Sequence, residues 1–178
     1  MSRIGRNPVP IPGKVKVEVK GDIVTVASPD GKKSLTQQVS MVQVKVVDNQ
    51  VVLEALEESR DARSRHGLYR TLIANMILGV TTGWEKRLEI HGAGYKVEKK
   101  GKQLVLTVGY TYPREYSIPQ GIDIELPDAT SIVVRGTDKA LVGQTAASLR
   151  SIRPPDPYRG KGIRLKGEHA VRKVAKGK

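Results

Sequence analysis

Apolar and charged residues alternate from Val15 to Lys20: Val15, Val17 and Val19 point one way, with Lys16, Glu18 and Lys20 between and after them. A period of two is the pattern of a half-buried strand. Ile23 to Ala27 continues it across Gly21-Asp22, a hairpin signal. Ser28-Pro29-Asp30-Gly31 predicts a turn, because proline presets φ and glycine tolerates positive φ. Lys33 to Val39, Val42 to Val47 and Gln50 to Ala55 read as three more strands, with Asp48-Asn49 turning between the last two.

The period then lengthens. From Ser59 to about Val80, residues Ala62, Tyr69, Ile73, Met76, Ile77 and Val80 recur at helical spacing, beside Leu68 and Leu72. Arg60, Arg63 and Arg70 take the other face, and His66 is read on the polar side. Ser59 is the candidate N-cap and Gly83 the stop. The second half repeats the plan. Strands are predicted near Glu85–Ile90, Tyr95–Lys99, Gln103–Tyr110, Arg114–Ile118, Ile122–Leu126 and Ser131–Arg135, then a helix from Asp138 to Ile152. The fold class is therefore α+β: two similar small domains, each an antiparallel-rich β-sheet backed by one main helix, plus a basic tail. The segments are 1–82, 83–152 and 153–178, with Met1 to Gly13 as an arm that orders on contact.

Charge changes the picture most at the end of the chain. Residues 150–178 hold ten Lys or Arg against two acids, which is +8 of the net +13. Their apolar residues are too few to build a core, and Pro154, Pro155 and Pro157 forbid a helix. Gly160 and Gly162 let the backbone approach another surface closely. Such a segment is expected to need a polyanion to order it, and RNA or DNA phosphate is the first candidate. Tyr158, set among Pro157, Arg159 and Lys161, suits stacking on a base. Gly92 and Gly94 fit either turns or backbone contact with RNA. Lys139 and Arg150 sit on the second helix as further candidate contacts, and Arg172 and Lys173 extend the basic run.

Candidate chemistry is sparse. There is no cysteine, so no disulfide or thiolate metal site can form. The three histidines, at 66, 91 and 169, are in no ligand spacing. His91-Gly92-Ala93-Gly94-Tyr95 lacks the third glycine of a dinucleotide loop, since Val97 stands there. No nucleophile, base and orienter set is present, so neither an enzyme nor a cofactor is expected. No apolar run approaches membrane-spanning length.

Pro155-Asp156-Pro157-Tyr158-Arg159-Gly160-Lys161-Gly162-Ile163-Arg164 resembles the signature of ribosomal protein six of the large subunit, bacterial type. Met1-Ser2-Arg3-Ile4-Gly5, Gly92-Ala93-Gly94-Tyr95, Val108-Gly109-Tyr110 and Gly136-Thr137-Asp138-Lys139 extend the likeness over nearly the whole chain. Arg159 stands where that family usually has Lys, Tyr110 where Phe is usual, and Leu165 where an aromatic is usual. The resemblance implies a structural protein bound to large-subunit rRNA, chiefly through the second domain and tail. It also implies neighbouring ribosomal proteins and a place near the factor-binding stalk base, where translational GTPases dock. It implies no membrane, no small-molecule substrate and a cytoplasmic ribosome. The expected rRNA contacts are Arg150, Arg153, Tyr158, Arg159, Lys161, Arg164 and Lys166, joined by Lys139, Gly92, Gly94, Gly160, Gly162, Arg172 and Lys173. The alternatives are a free-standing nucleic-acid chaperone or nucleoid protein, and an RNA-modifying enzyme.

Overall fold

A computed structural model describes residues 2–13, 15–171 and 173–174. Two units emerge, one comprising residues up to Gly83 with Thr137–Lys139, the other Trp84–Gly136 and residues from Ala140 onward. In the first unit the strands are β1 (Val9–Pro10), β2 (Lys16–Lys20), β3 (Ile23–Ala27), β4 (Ser34–Gln38), β5 (Val42–Val47) and β6 (Gln50–Ala55), followed by α1 (Arg60–Thr81). They form two antiparallel three-stranded sheets, ordered β2-β3-β4 and β1-β6-β5. Asp48 and Asn49 both have positive φ, 46° and 61°, as a two-residue hairpin turn requires, and pair Val47 with Gln50. Inward Val24, Val26, Val51 and Leu53 meet Ile73, Ile77 and Val80 of α1. Ser59 caps that helix by accepting from Ala62 N–H at 3.1 Å. Gly83, at φ 79°, ends it by donating to Leu78 O.

The second unit contains β7 (Trp84–His91), β8 (Lys96–Lys100), β9 (Gln103–Thr107), β10 (Arg114–Ser117), β11 (Ile122–Asp128), β12 (Ser131–Gly136), most of α2 (Lys139–Ile152), and β13 (Gly162–Leu165). Its sheets are β8-β9-β10 and β11-β12-β7-β13, again antiparallel. The wiring repeats that of the first unit. In both, the opening strand pairs with the last strand before the helix, and a three-stranded meander lies between them in sequence. Leu88, Ile90, Leu104, Leu106, Ile132 and Val134 pack with Val142, Ala146 and Leu149 of α2.

Three expectations are corrected. Residues 153–168 do not wait for a polyanion to order them. β13 pairs with β7 (Ile163 opposite Ile90) and Ile163 is fully buried in the core. Two or three apolar side chains cannot build a core, but they can complete one that already exists. The N-terminal arm is likewise seated on its own unit: Val9 pairs with Val51, and Ile11 is buried. His66 lies inside, 1% exposed, with Nε2 3.0 Å from Leu53 O.

Candidate nucleic-acid interface

One end of the second unit gathers the end of β7, the start of β8, the end of β9, the start of β10, the end of α2 and the start of β13. The basic loop rises there. Two backbone bonds close its stem: Ile163 N–H to Arg153 O at 2.7 Å and Asp156 N–H to Lys161 O at 2.8 Å. Asp156 then caps a single turn. Its carboxylate accepts from Arg159 N–H at 2.8 Å and Tyr158 N–H at 3.4 Å, while its carbonyl accepts from Gly160 N–H at 2.8 Å. An aspartate side chain is suited to this, since it satisfies turn amides that water would otherwise bind. The turn presents Pro157, Tyr158 and Arg159 outward, with Tyr158 60% exposed.

The loop glycines serve their own chain. Gly160 turns at φ 69° and is buried. A Cβ on Gly162 would lie 2.5 Å from Pro154 O, so the two arms of the loop touch at backbone. Gly92 is similar, because a Cβ there would sit 2.6 Å from the Tyr95 ring. That ring also reaches Gly109, where a Cβ would meet its hydroxyl at 2.6 Å. Tyr95 thus ties the 92–95 loop to the 108–110 loop. At Gly92 and Gly162, expected to admit RNA, the space is filled by protein. Gly94 faces open space, at φ 73°.

Beside the loop, two guanidinium groups lie over the Tyr110 ring, Arg153 at 5.0 Å and Arg114 at 4.9 Å from its centroid. The Tyr110 hydroxyl donates to Ile152 O at 2.9 Å. This fixes both cations over an apolar plate, an arrangement favoured by the ring quadrupole. The Tyr110 contact also holds the Arg153 guanidinium above its ordinary pKa. Arg114 and the 79% exposed Tyr112 were not among the residues picked from sequence, although Tyr110-Thr111-Tyr112-Pro113-Arg114 alternates aromatic and polar residues at a turn.

The outer face of the four-stranded sheet has a different charge state. Glu85 accepts from Arg135 at 2.8 Å and Arg87 at 2.5 Å, and Arg135 also reaches Glu125 at 2.7 Å. Arg135, then Arg87, holds the Glu85 carboxyl below its ordinary range. Arg164 lies 4.0 Å from Glu89. Arg150 is held by Glu168 at 2.5 Å, and Glu168 also accepts from Leu165 N–H at 3.0 Å. The Arg150 bond, then the Leu165 amide, lowers the Glu168 pKa. Among the described residues, no carboxylate pairs with Arg114, Arg153, Arg159 or Lys161.

The structure therefore brings together Arg153, Tyr158, Arg159, Gly160, Lys161, Gly162, Gly92 and Gly94. It commits Arg150 and Arg164 to carboxylates. Lys166 is exposed beyond β13, its N–H donating to Arg87 O at 2.9 Å. Lys173 is exposed and its N–H reaches Pro157 O at 2.9 Å, returning the chain to the loop. Lys139 is the first residue of α2 and belongs to the first unit, so it is not among the residues gathered at the loop end. Arg172 lies outside the described residues.

Comparison with known proteins gives one consistent result. The family model described as ribosomal protein L6 matches residues 11–83 and 91–166, one segment per unit and the second inclusive of β13. The large ribosomal subunit protein uL6 of Synechocystis sp. is 46% identical over 178 residues, covering 99% of this chain and 98% of the relative. The proteins of the same name from Synechococcus sp. strain CC9311 and Dictyoglomus turgidum are 49% and 50% identical, with the same coverage.

Proposed function

We propose that this chain, which belongs to the ribosomal protein L6 family, holds its place in the large ribosomal subunit by gripping rRNA with the loop end of its second unit. The chain is a structural constituent of the large subunit of the cytoplasmic ribosome, and not an enzyme, in keeping with its relatives. The observation that carries the rRNA reading is the division of charge. Cations on the sheet face are neutralised by neighbouring carboxylates, whereas Arg114, Arg153, Arg159 and Lys161 are not. Unneutralised cations release counterions when they meet phosphate, and paired ones must first break a bond. Phosphate contacts hold position without reading sequence, so recognition rests on the shape of the RNA that fits between the Tyr158 turn and the Tyr110 stack. The family likeness supports a site near the factor-binding stalk base, with translational GTPases as neighbours.

Two double variants test this against protein-free large-subunit rRNA. Arg159→Gln with Lys161→Gln should make the log-log salt dependence shallower by roughly 1.5, at 0.7–0.9 per phosphate. Arg87→Gln with Arg135→Gln, the same loss of charge, should change it by less than about 0.5. Equal effects would mean that net charge alone binds the RNA, and the assigned interface would be wrong.

A further inference from the structure

The N-terminal segment assembles a second basic surface, on the first unit. Residues 2–7 close on themselves: Arg6 N–H donates to Ser2 O at 3.2 Å, Asn7 N–H to Ile4 O at 3.3 Å, and Ser2 Oγ accepts from Gly5 N–H at 3.4 Å. This turn is seated on α1. Gly5 is buried, and a Cβ there would lie 2.5 Å from the His66 ring. A Cβ on Gly67 would lie 2.9 Å from Ser2 Oγ, and Arg70 Nε donates to Asn7 O at 3.2 Å. Small residues on both partners thus let the arm lie close along the helix.

That seat has an electrostatic result. Positions 63, 66, 67 and 70 share one helical face, so Arg63 and Arg70 flank the His66–Gly67 seat by about one turn on each side. The seated turn carries Arg3 and Arg6, both exposed, on the segment whose Ser2, Gly5 and Asn7 contact Gly67, His66 and Arg70. Among the described residues, none of these four arginines is paired with a carboxylate. The one acid of α1, Asp61, is two residues from Arg63 and points away from it.

We propose that Arg3, Arg6, Arg63 and Arg70 form a second rRNA-backbone site, separate from the loop end of the second unit. The proposal rests on the ribosomal reading above. Guanidinium forks match phosphate oxygens bidentately, and a run of phosphates supplies several acceptors at once, as an isolated acidic side chain does not. The site is weaker than the loop interface because no exposed aromatic stack accompanies it.

The test uses the full chain and protein-free large-subunit rRNA. Arg70 is spared because it also holds the arm. Arg3→Gln, Arg6→Gln and Arg63→Gln together should make the log-log salt dependence shallower by about 2 and lower low-salt affinity several-fold. Lys16→Gln, Lys32→Gln and Lys33→Gln, also exposed in the first unit, remove equal charge and should change the slope by less than about 0.5. A triple-arginine variant that binds like the unaltered chain, or like the lysine variant, overturns the second site. If that happens while the Arg159/Lys161 variant still weakens binding, the loop interface stands. If the unaltered chain itself fails to bind the rRNA, both fall.

Discussion

Replacing Gly162 with alanine distinguishes a glycine that admits RNA from one that admits its own chain. The new Cβ would lie 2.5 Å from Pro154 O and 2.8 Å from Pro155 Cα, and these are backbone atoms that cannot swing aside. A φ of 142° adds strain, on the order of 1–3 kcal/mol for a side-chain-bearing residue. The molecule can avoid the clash only by lifting β13 from β7. Lifting exposes Ile163, which is fully buried, at about 1.5–3 kcal/mol. It also breaks the Glu168–Leu165 bond, worth roughly 1 kcal/mol. Either route costs the second unit about 2–4 kcal/mol. Trp84 is the chain's one tryptophan, opens β7 and packs on that unit's core, so its fluorescence under urea follows this unit. With a urea dependence of about 1–2 kcal/mol per molar, the midpoint should fall by about 1–4 M. Gly94→Ala is the control: its φ is also positive, but a Cβ meets nothing, so it should cost only about 1–2 kcal/mol. A Gly162→Ala protein that melts like the unaltered chain yet binds rRNA poorly would show that the glycine serves an incoming phosphate. The packing account would then be wrong.

Tyr158→Ala removes an exposed ring without changing charge, so rRNA affinity should fall by about 1–3 kcal/mol while the Trp84 urea midpoint stays put. Tyr110→Phe keeps the ring that Arg114 and Arg153 lie over and loses only the bond to Ile152 O. Binding should survive, whereas Tyr110→Leu should weaken it in a filter assay by about 0.5–1 kcal/mol per released guanidinium. Glu168 has a native pKa below its unfolded value, so its stabilisation is complete above the ordinary carboxylate range and is lost as pH falls through the lowered native value. Glu168→Gln should therefore lower the Trp84 midpoint at neutral pH and flatten its decline in acid; an unchanged acid profile would assign that decline to other carboxylates.

The helices and ten or so strands were legible because their patterns are local. Alternation between Val15 and Lys20 needs no knowledge of the partner strand. β1 and β13 were not legible, for a reason visible in the pairing. Each is short and punctuated by Pro or Gly, and its partners are distant in sequence: Val9 pairs with Val51, and Ile163 with Ile90. His66 was legible by spacing, since 62, 66, 69 and 73 follow one stripe, but residue type argued for the polar side. The bond to Leu53 O that makes its burial tolerable belongs to the sheet, not to the helix. The basic loop was found by composition. Which of its cations are free was not, because the partner of Arg150 is 18 residues away and that of Arg164 lies on β7. Net charge counts cations without showing which are already neutralised.

The added strand β13 has a consequence for how the protein is made. β7 is eight residues long, and without β13 one of its sides would present a bare row of amides and carbonyls, the kind of edge on which chains aggregate. β13 is the last element in chain order among the described residues. The corresponding strand of the first unit, β1, is only two residues long and contains Pro10, which has no amide to donate, so that edge is blunt from the start. During synthesis the first unit can therefore close safely once α1 has emerged. The second keeps an adhesive edge until β13 has been made, and the strand that covers it is the one that closes the loop proposed to bind rRNA. On the proposed rRNA reading, a nascent chain with a sticky sheet is thus also one whose RNA-holding loop is still open, and a chain stopped before Gly162 is expected to lose solubility and assembly together.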